Sequence, residues 1–184
     1  IPSSDANYTD NYKHIRRTNL LLQNAEAYAK PEDIKQYIGE AYFFRAYSYF
    51  DLLQLYGDVI ITKKPLDITD PEMKVKRNDR SEVVDLIIDD LNHAVENLPA
   101  FKELTTEEEG RISKEGAQAF LSRVALYEGT WQKSRNGNQN TQRSANLLDI
   151  AAKAARTVID AKYGYTFRLF GTDSETKILG DSAQ

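Results

Sequence analysis

The longest apolar and aromatic stretch of the chain, from Asp33 to Tyr56, predicts one long helix around which the other elements are organised. It contains no proline and one glycine, a composition typical of a helix rather than of several strands. Its other faces are apolar, so we expect neighbours to surround it. Pro31 suits the first helical position and Gly57 suits the stop. The polar residues fall on one line at multiples of about 3.6 positions, and they are Asp33, Gln36, Glu40, Asp51 and Gln54.

Apolar positions at helical spacing predict four further helices. In the first of them the polar Asn19 interrupts the apolar stripe, and the short turn that follows makes this helix an antiparallel neighbour of the central one. Asp79 and Glu82 form a pair like a capping box, and Ser113 is a suitable helix cap. These helices are predicted from Tyr8 to Ala29, from Asp79 to Pro99, from Ser113 to Gly129 and from Leu147 to Gly164.

Three segments lack helical periodicity. The connection from Gly57 to Asp79 is longer than those of compact helical bundles, and such loops are usually functional or packed across the surface. The segment from Arg135 to Asn146 is rich in Asn, Gln, Gly and Ser, which predicts a solvated, mobile loop. From Tyr165 to Leu169 apolar residues alternate with polar ones, which predicts a short strand.

Two triplets with the same internal spacing indicate a repeat. Each falls on the predicted second helix of an antiparallel pair, a pattern that suggests a solenoid of the tetratricopeptide kind with long inserted loops. We therefore expect a mainly all-α fold, a single helical-repeat domain over residues 1–184, and a short terminal strand. The first triplet is Ala41, Arg45 and Tyr49, and the second is Ala119, Arg123 and Tyr127.

Composition narrows the classes of function. With 184 residues, 41% hydrophobic and 28% charged, the chain can bury a core. A net charge of −4 with both signs interspersed argues against a nucleic-acid partner. The chain has no cysteine and only two distant histidines, so we expect no disulfide, no metal site and no cofactor. No apolar run is long enough for a transmembrane helix, and because the chain begins at Ile1 without Met we expect upstream sequence.

A series of short motifs covers nearly the whole chain in a fixed order. The motifs are Tyr12–Asn19, Glu40–Phe50, Leu55–Val59, Asp90–Ala94, Leu98–Pro99, Gly110–Ser113, Ala119–Tyr127 and Tyr163–Tyr165. In sequence and spacing they resemble the SusD/RagB-like nutrient-binding lipoproteins of the Bacteroidetes outer membrane.

The resemblance implies a specific biological role. It implies a surface protein that binds oligosaccharides without cleaving them and passes them to a TonB-dependent, SusC-like outer-membrane transporter. It also implies a lipid anchor on an upstream segment and a full-length protein well over twice this size. The chain then corresponds to the amino-terminal half, and the remaining half is expected to contact it.

Three residues in irregular or terminal positions are candidate ligand contacts. Tyr8 lies where members of the resembled family often carry tryptophan, and Asn11 follows it by about one helical turn. An aromatic plate beside an amide suits a sugar, whose C–H face stacks on the ring while its hydroxyls take hydrogen bonds. Trp131 follows the predicted fourth helix. A plain helix entry for Tyr8 and a packing role for Trp131 remain the alternatives.

Two arginines lie among aromatic residues and are assigned structural roles. A guanidinium stacked on rings and paired with a carboxylate such as Glu40 or Asp90 would join two helices. We therefore expect Arg45 and Arg123 to be structural, and Arg45 to be largely buried and bonded to an acidic side chain, because an unpaired buried charge is costly.

The acidic pairs do not favour an enzyme. A glycosidase needs two carboxylates held apart around the scissile bond. The adjacent Asp89 and Asp90 point in different directions on a helix, and the run Glu107–Glu109 before a glycine is typical of a solvated loop. The competing interpretation is a helical-repeat scaffold that binds protein partners and has no carbohydrate site in this chain.

The end of the chain suggests that it does not fold alone. The resemblance stops near Leu179, after a predicted strand without a partner, and a lone strand leaves its hydrogen-bonding edge unsatisfied. We expect the missing part of the protein to cover it.

Overall fold

The structure, a computed structural model, describes residues 5–67, 69–135 and 141–167. In these ranges the chain forms five α-helices joined by irregular segments and short 3₁₀ turns, and each helix packs against the next along the chain. The predicted mainly α-helical fold is confirmed. The helices are α1 (Ala6–Glu26), α2 (Lys35–Tyr56), α3 (Arg80–Asn97), α4 (Lys114–Arg135) and α5 (Thr141–Ile159).

Helix α2 is the centre of the fold, as the sequence predicts. A 3₁₀ turn at Pro31–Ile34 leads into it, and Gly57 ends it with a φ of 72°, a left-handed conformation that favours glycine. It packs against α1 on one side and α3 on the other. The buried residues along it include Tyr49, Leu52 and Leu53, each 0% exposed, so this helix supplies a large part of the core.

Helix α2 is nevertheless not surrounded on all faces, which corrects the expectation from its aromatic sequence. Tyr37, Phe44 and Tyr47 are between 45% and 51% exposed. Together with Leu20 and Leu21 of α1 they form an exposed apolar surface, which we call the α1/α2 face. An apolar face in the sequence therefore does not establish that the described residues bury that face.

The close packing of α2 on the end of α3 depends on Gly39. A Cβ built at this position would lie 2.9 Å from both the backbone nitrogen and Cγ of Leu98. Such a distance requires the two backbones to move apart. The predicted capping box at the start of α3 is present, because Glu82 accepts a hydrogen bond from the Asp79 amide.

The predicted end of the fourth helix at Gly129 is wrong. Helix α4 continues through Gly129 to Arg135, and the glycine is buried where a Cβ would lie 3.0 Å from Leu148 of α5. The glycine therefore permits close helix packing and does not stop the helix. The predicted polar loop is also shorter than expected, since α5 begins at Thr141; residues 136–140 lie outside the described ranges.

The repeated triplets do not occupy equivalent positions. Arg45 is buried in α2, whereas Ala119 and Arg123 are exposed on α4, whose closest partner is α5. Asp90 and Glu40 bind Arg45 and Arg111 and are not partners of Arg123, and a structural role for Arg123 stays a prediction. The Arg123 guanidinium lies near Asp51. Burial raises the pKa of the Asp51 carboxyl, and the positive charge of Arg123 lowers it in part. The triplet in α2 is buried because α1 and α3 cover that helix, whereas in the triplet of α4 Tyr127 is half-buried against Phe50 of α2 and the other two residues are exposed.

The predicted terminal strand is absent from the described residues 165–167, which are irregular. The remainder of that prediction, residues 168 and 169, lies outside the described ranges. The rings of Tyr165 and Phe101 are 4.6 Å apart, and those of Tyr165 and Phe167 are 4.8 Å apart. An aromatic cluster therefore attaches this segment to the 3₁₀ turn at Phe101–Glu103. Across the ranges that the structure describes, no helix is long and apolar enough to cross a bilayer.

Candidate functional site

A groove of about 490 Å³ lies between the first half of α1 and the segment 59–66, and we call it the α1 groove. One wall is a face of α1, on which lining residues recur one turn apart. The other wall consists of residues of the irregular segment that follows α2, which bends at Lys63 and Lys64. The lining residues are Tyr8, Thr9, Tyr12, Lys13 and Arg16 on α1, and Ile60, Thr62, Lys64, Leu66 and Asp67 opposite.

Two tyrosines whose rings are in tilted contact form the α1 wall. Asp5 caps the helix by accepting a hydrogen bond from the amide of Asn7, so the first turn carries Tyr8. The ring centroids of Tyr8 and Tyr12 are 4.7 Å apart, and Tyr56 of α2 meets Tyr8 edge-on at 5.3 Å. The Tyr56 hydroxyl donates a hydrogen bond to Asp5, which lowers the pKa of Asp5. This cluster therefore fixes the entrance of α1 and the orientation of the Tyr8 ring.

Polar side chains from the helices hold the backbone of the opposite wall. The Tyr12 hydroxyl donates to the carbonyl of Ile60 at 2.7 Å, and Asn19 Nδ2 donates to the carbonyl of Thr62 at 2.9 Å. The Thr62 amide in turn donates to the Tyr49 hydroxyl at 2.8 Å. These bonds hold the backbone of the segment in a fixed position opposite α1.

The Tyr12 hydroxyl is committed to this structural bond. Burial raises the pKa of Tyr12, and the neighbouring Tyr8 raises it further, so the phenol stays protonated and remains a donor to Ile60. Tyr12 therefore offers the groove part of its ring, and its hydroxyl proton is used in the bond to Ile60. Tyr8 is half-buried and lines the groove from the start of α1.

A buried ion pair supports the same wall from within the core. Arg45 is 5% exposed, and its Nε and Nη2 donate to the two carboxylate oxygens of Asp90 at 2.8 and 2.7 Å. Arg45 Nη1 donates to Asn19 Oδ1 at 2.8 Å, which orients the Asn19 amide toward the carbonyl of Thr62. The expected burial and carboxylate pairing of Arg45 are found, and the partner is Asp90. A continuous chain of hydrogen bonds thus joins α3, α2 and α1 to the groove.

Glu40 has a different structural role from the expected one. Its carboxylate accepts two hydrogen bonds from Arg111, both at 2.7 Å, and the Arg111 guanidinium lies 5.0 Å from the ring centroid of Tyr37. Glu40 is too far along α2 from Arg45 to compete with Asp90 for it. Its partner Arg111 belongs to the Gly110–Ser113 motif. This pair attaches the loop before α4 to α2.

The three candidate ligand residues are not brought together. Tyr8 lines the α1 groove, but Asn11 does not, and its side-chain amide donates to the carbonyl of Asn7 at 3.0 Å. Trp131 lies on α4 with the guanidinium of Arg80 4.2 Å from its ring centroid and that of Arg135 at 4.7 Å. Two cations already lie against this ring, so it is placed as a packing residue at the end of α4.

Sequence reasoning missed several residues that build the site. Asn19 was visible as a polar residue at an apolar position of α1, and the structure explains it through its bonds to Arg45 and Thr62. Outside the groove, the pair of Arg80 with the buried Glu128, 2.8 Å apart, had no comparable signal. Within the described residues, no group of three or more His, Cys, Asp or Glu side chains could hold a metal ion. The chemistry available in the groove is ring stacking, hydrogen bonding and ion pairing.

Comparison with known proteins gives a consistent result. Residues 3–126 match a family described as "Starch-binding associating with outer membrane". A SusD-like protein of Formosa agariphila is 34% identical over 117 residues, which are 63% of this chain and 22% of that protein. A solved SusD-like structure from Bacteroides fragilis matches with a TM-score of 0.72 and 28% identity over 92% of this chain and 29% of that one.

A solved structure described as a laminarin-binding SusD-like protein is also similar. It matches with a TM-score of 0.70 and 27% identity over 90% of this chain and 33% of that one. The chain therefore spans between 22% and 33% of the length of these three proteins.

Proposed function

We propose that this chain, which belongs to the SusD-like family by its match over residues 3–126, binds oligosaccharide in the α1 groove. The observation that carries the proposal is the pair of rings, Tyr8 and Tyr12, on the wall of an open groove. A pyranose presents an apolar C–H face that stacks on such a ring, and its hydroxyls need directed polar partners. Thr9 and Thr62 line the same groove, and the Thr9 hydroxyl, which donates to the Asp5 carbonyl at 2.9 Å, can still accept a hydrogen bond.

The first prediction concerns the Tyr8 ring. We expect Tyr8→Ala in the full-length protein to weaken binding of its oligosaccharide by roughly five-fold or more, about 1 kcal/mol, because one stacking plate is lost. Thermal stability should fall only modestly, since Tyr8 is half-buried and loses its ring contacts with Tyr12 and Tyr56. Titration calorimetry measures the affinity and thermal unfolding measures the stability.

Tyr28→Ala is the matched control for this experiment. Tyr28 lies just after the end of α1, is 49% exposed and is outside the α1 groove. Its removal should leave the affinity unchanged. Equal affinity of wild type and Tyr8→Ala would remove Tyr8 from the binding site.

We further propose that the protein binds its glycan without cleaving it. The two acidic pairs considered above do not support hydrolysis, because Asp90 is fully buried against Arg45 and Glu107 lies on an exposed 3₁₀ turn away from the groove. Prolonged incubation of the full-length protein with oligosaccharide should release no new reducing ends. Their time-dependent appearance would overturn the binding-only assignment.

The whole protein is proposed to act at the cell surface, anchored by lipid, and to deliver its glycan to a TonB-dependent transporter. The family description, which associates its members with the outer membrane, supports this role. The α1/α2 face, with Phe44 51% exposed and Tyr47 45% exposed, favours a protein contact as a second function of the chain. Affinity purification of the tagged protein from outer membranes tests the proposed contact with a transporter. Recovery of the protein without a transporter would contradict that contact.

A further inference from the structure

The charged residues of the α1 groove are predominantly basic. Lys13, Arg16 and Lys64 line it, whereas Asp67 is the one acidic residue of its lining. The chain as a whole is acidic, with a net charge of −4, so this local excess of positive charge runs against the average. Cations collected around a concave surface raise the local concentration of anionic ligands.

The two basic residues on α1 are available to a ligand. Arg16 is exposed, one turn after Tyr12, and no hydrogen-bond or ion-pair partner is found for it among the described residues. Lys13 pairs with Asp10 at 2.8 Å, but both side chains are more than half exposed. Such a surface pair contributes little free energy and is easily exchanged for a ligand group.

The cations lie beside the aromatic rings, so a ligand that contacts both groups would carry a sugar ring and a negative charge. Lys13 and Arg16 continue the α1 wall after Tyr8 and Tyr12, and Lys64 lies on the opposite wall. A sugar ring stacked on the tyrosines would therefore have cations on two sides. The planar guanidinium of Arg16 can donate two parallel hydrogen bonds to one oxyanion.

Building on the proposed glycan site, we propose that the α1 groove selects polysaccharides that carry acid groups, either the carboxylates of uronic acids or sulfate esters. The tyrosines hold the sugar ring, and Arg16 with Lys64 binds the oxyanions of neighbouring units. A neutral glycan would use the rings but would bring no charge to pair with Arg16, for which no partner is found among the described residues. The positive charge of the groove thus determines which class of glycan binds most tightly. Stacking on the tyrosines contributes affinity for every class.

The test compares acidic and neutral oligosaccharides on the full-length protein. The probes are tetragalacturonate, a sulfated galactan tetrasaccharide and neutral galactotetraose, titrated by calorimetry at low and at physiological salt. The variants are Arg16→Gln and Lys64→Gln, with Arg17→Gln as the matched control. Arg17 is the next residue on α1, but it lies on the α1/α2 face and outside the groove.

We expect wild type to bind at least one acidic probe roughly ten-fold more tightly than the neutral one, with affinity that falls as salt rises. Arg16→Gln and Lys64→Gln should each weaken that binding by roughly five-fold and leave any neutral binding unchanged, because a charge-assisted hydrogen bond is lost. Arg17→Gln should match wild type. The two acidic probes distinguish a carboxylate from a sulfate ligand.

Two results would overturn the inference. Equal or tighter binding of neutral galactotetraose, still weakened by Tyr8→Ala, would refute selection by charge while leaving the proposed glycan site intact. Acidic binding that Tyr8→Ala and Arg16→Gln both leave unchanged would place the glycan elsewhere and would refute the site and the inference together. Thermal unfolding of each variant confirms that the comparison is made on folded protein.

Discussion

Replacing Asp90 by alanine is expected to lower the free energy of unfolding by about 3–5 kcal/mol. Arg45 is 5% exposed, and the substitution removes the carboxylate that accepts two of its hydrogen bonds. A buried charge without a partner costs more than the pair contributed, because its hydration is lost and nothing replaces it. Urea unfolding of the full-length protein, followed by circular dichroism, measures the change.

Asp89→Ala is the matched control, since Asp89 is the neighbouring residue on α3 with its side chain 61% exposed. Its loss should change the free energy of unfolding by less than about 0.5 kcal/mol. The double replacement of Arg45 by Met and Asp90 by Leu should cost less than Asp90→Ala, because it removes both charges together. Equal stability of Asp90→Ala and Asp89→Ala would contradict the assignment of a buried ion pair.

Replacing Asn19 by alanine is expected to lower both stability and glycan affinity. The Asn19 side chain accepts a bond from Arg45 and donates to the carbonyl of Thr62, so its removal leaves buried polar groups unsatisfied. We expect a loss of about 2–4 kcal/mol in the free energy of unfolding. The backbone of the groove wall also loses an anchor, and affinity for the oligosaccharide should fall roughly three-fold or more through this loss of preorganisation.

Asn24→Ala is the control, because Asn24 is an exposed residue of the same helix outside the groove. It should leave stability and affinity close to those of wild type. Hydrogen exchange at residues 60–64 supplies the readout that separates positioning from general destabilisation. Faster exchange there than in α5 is expected for Asn19→Ala, whereas uniform acceleration across the chain would contradict a specific role for Asn19 in the groove.

The helices could be predicted because their signals are local. The apolar period of α2, the proline before it and Gly57 after it act within a few residues of each other. The capping pair of Asp79 and Glu82 is similarly local. Gly129 misled the prediction because a glycine that ends a helix and one that admits a neighbour have the same sequence signal; only the approach of Leu148 distinguishes them.

The site was predictable only in part. Tyr8 was selected by resemblance and lies in the groove, but the wall opposite it comes from residues more than forty positions away, such as Ile60 and Thr62. A long connection has no periodicity to show which of its side chains point inward. The equal triplets of α2 and α4 misled in the same way, since burial of Arg45 and exposure of Arg123 depend on neighbouring helices that the triplet does not encode.

The most direct test of the central proposal is a crystal structure of the full-length protein with a bound oligosaccharide. The proposal predicts a sugar ring stacked on Tyr8 at about 4 Å, between α1 and the segment 59–66, with further sugar units extending toward Arg16 and Lys64. An oligosaccharide bound with full occupancy elsewhere, with the α1 groove open, would contradict it.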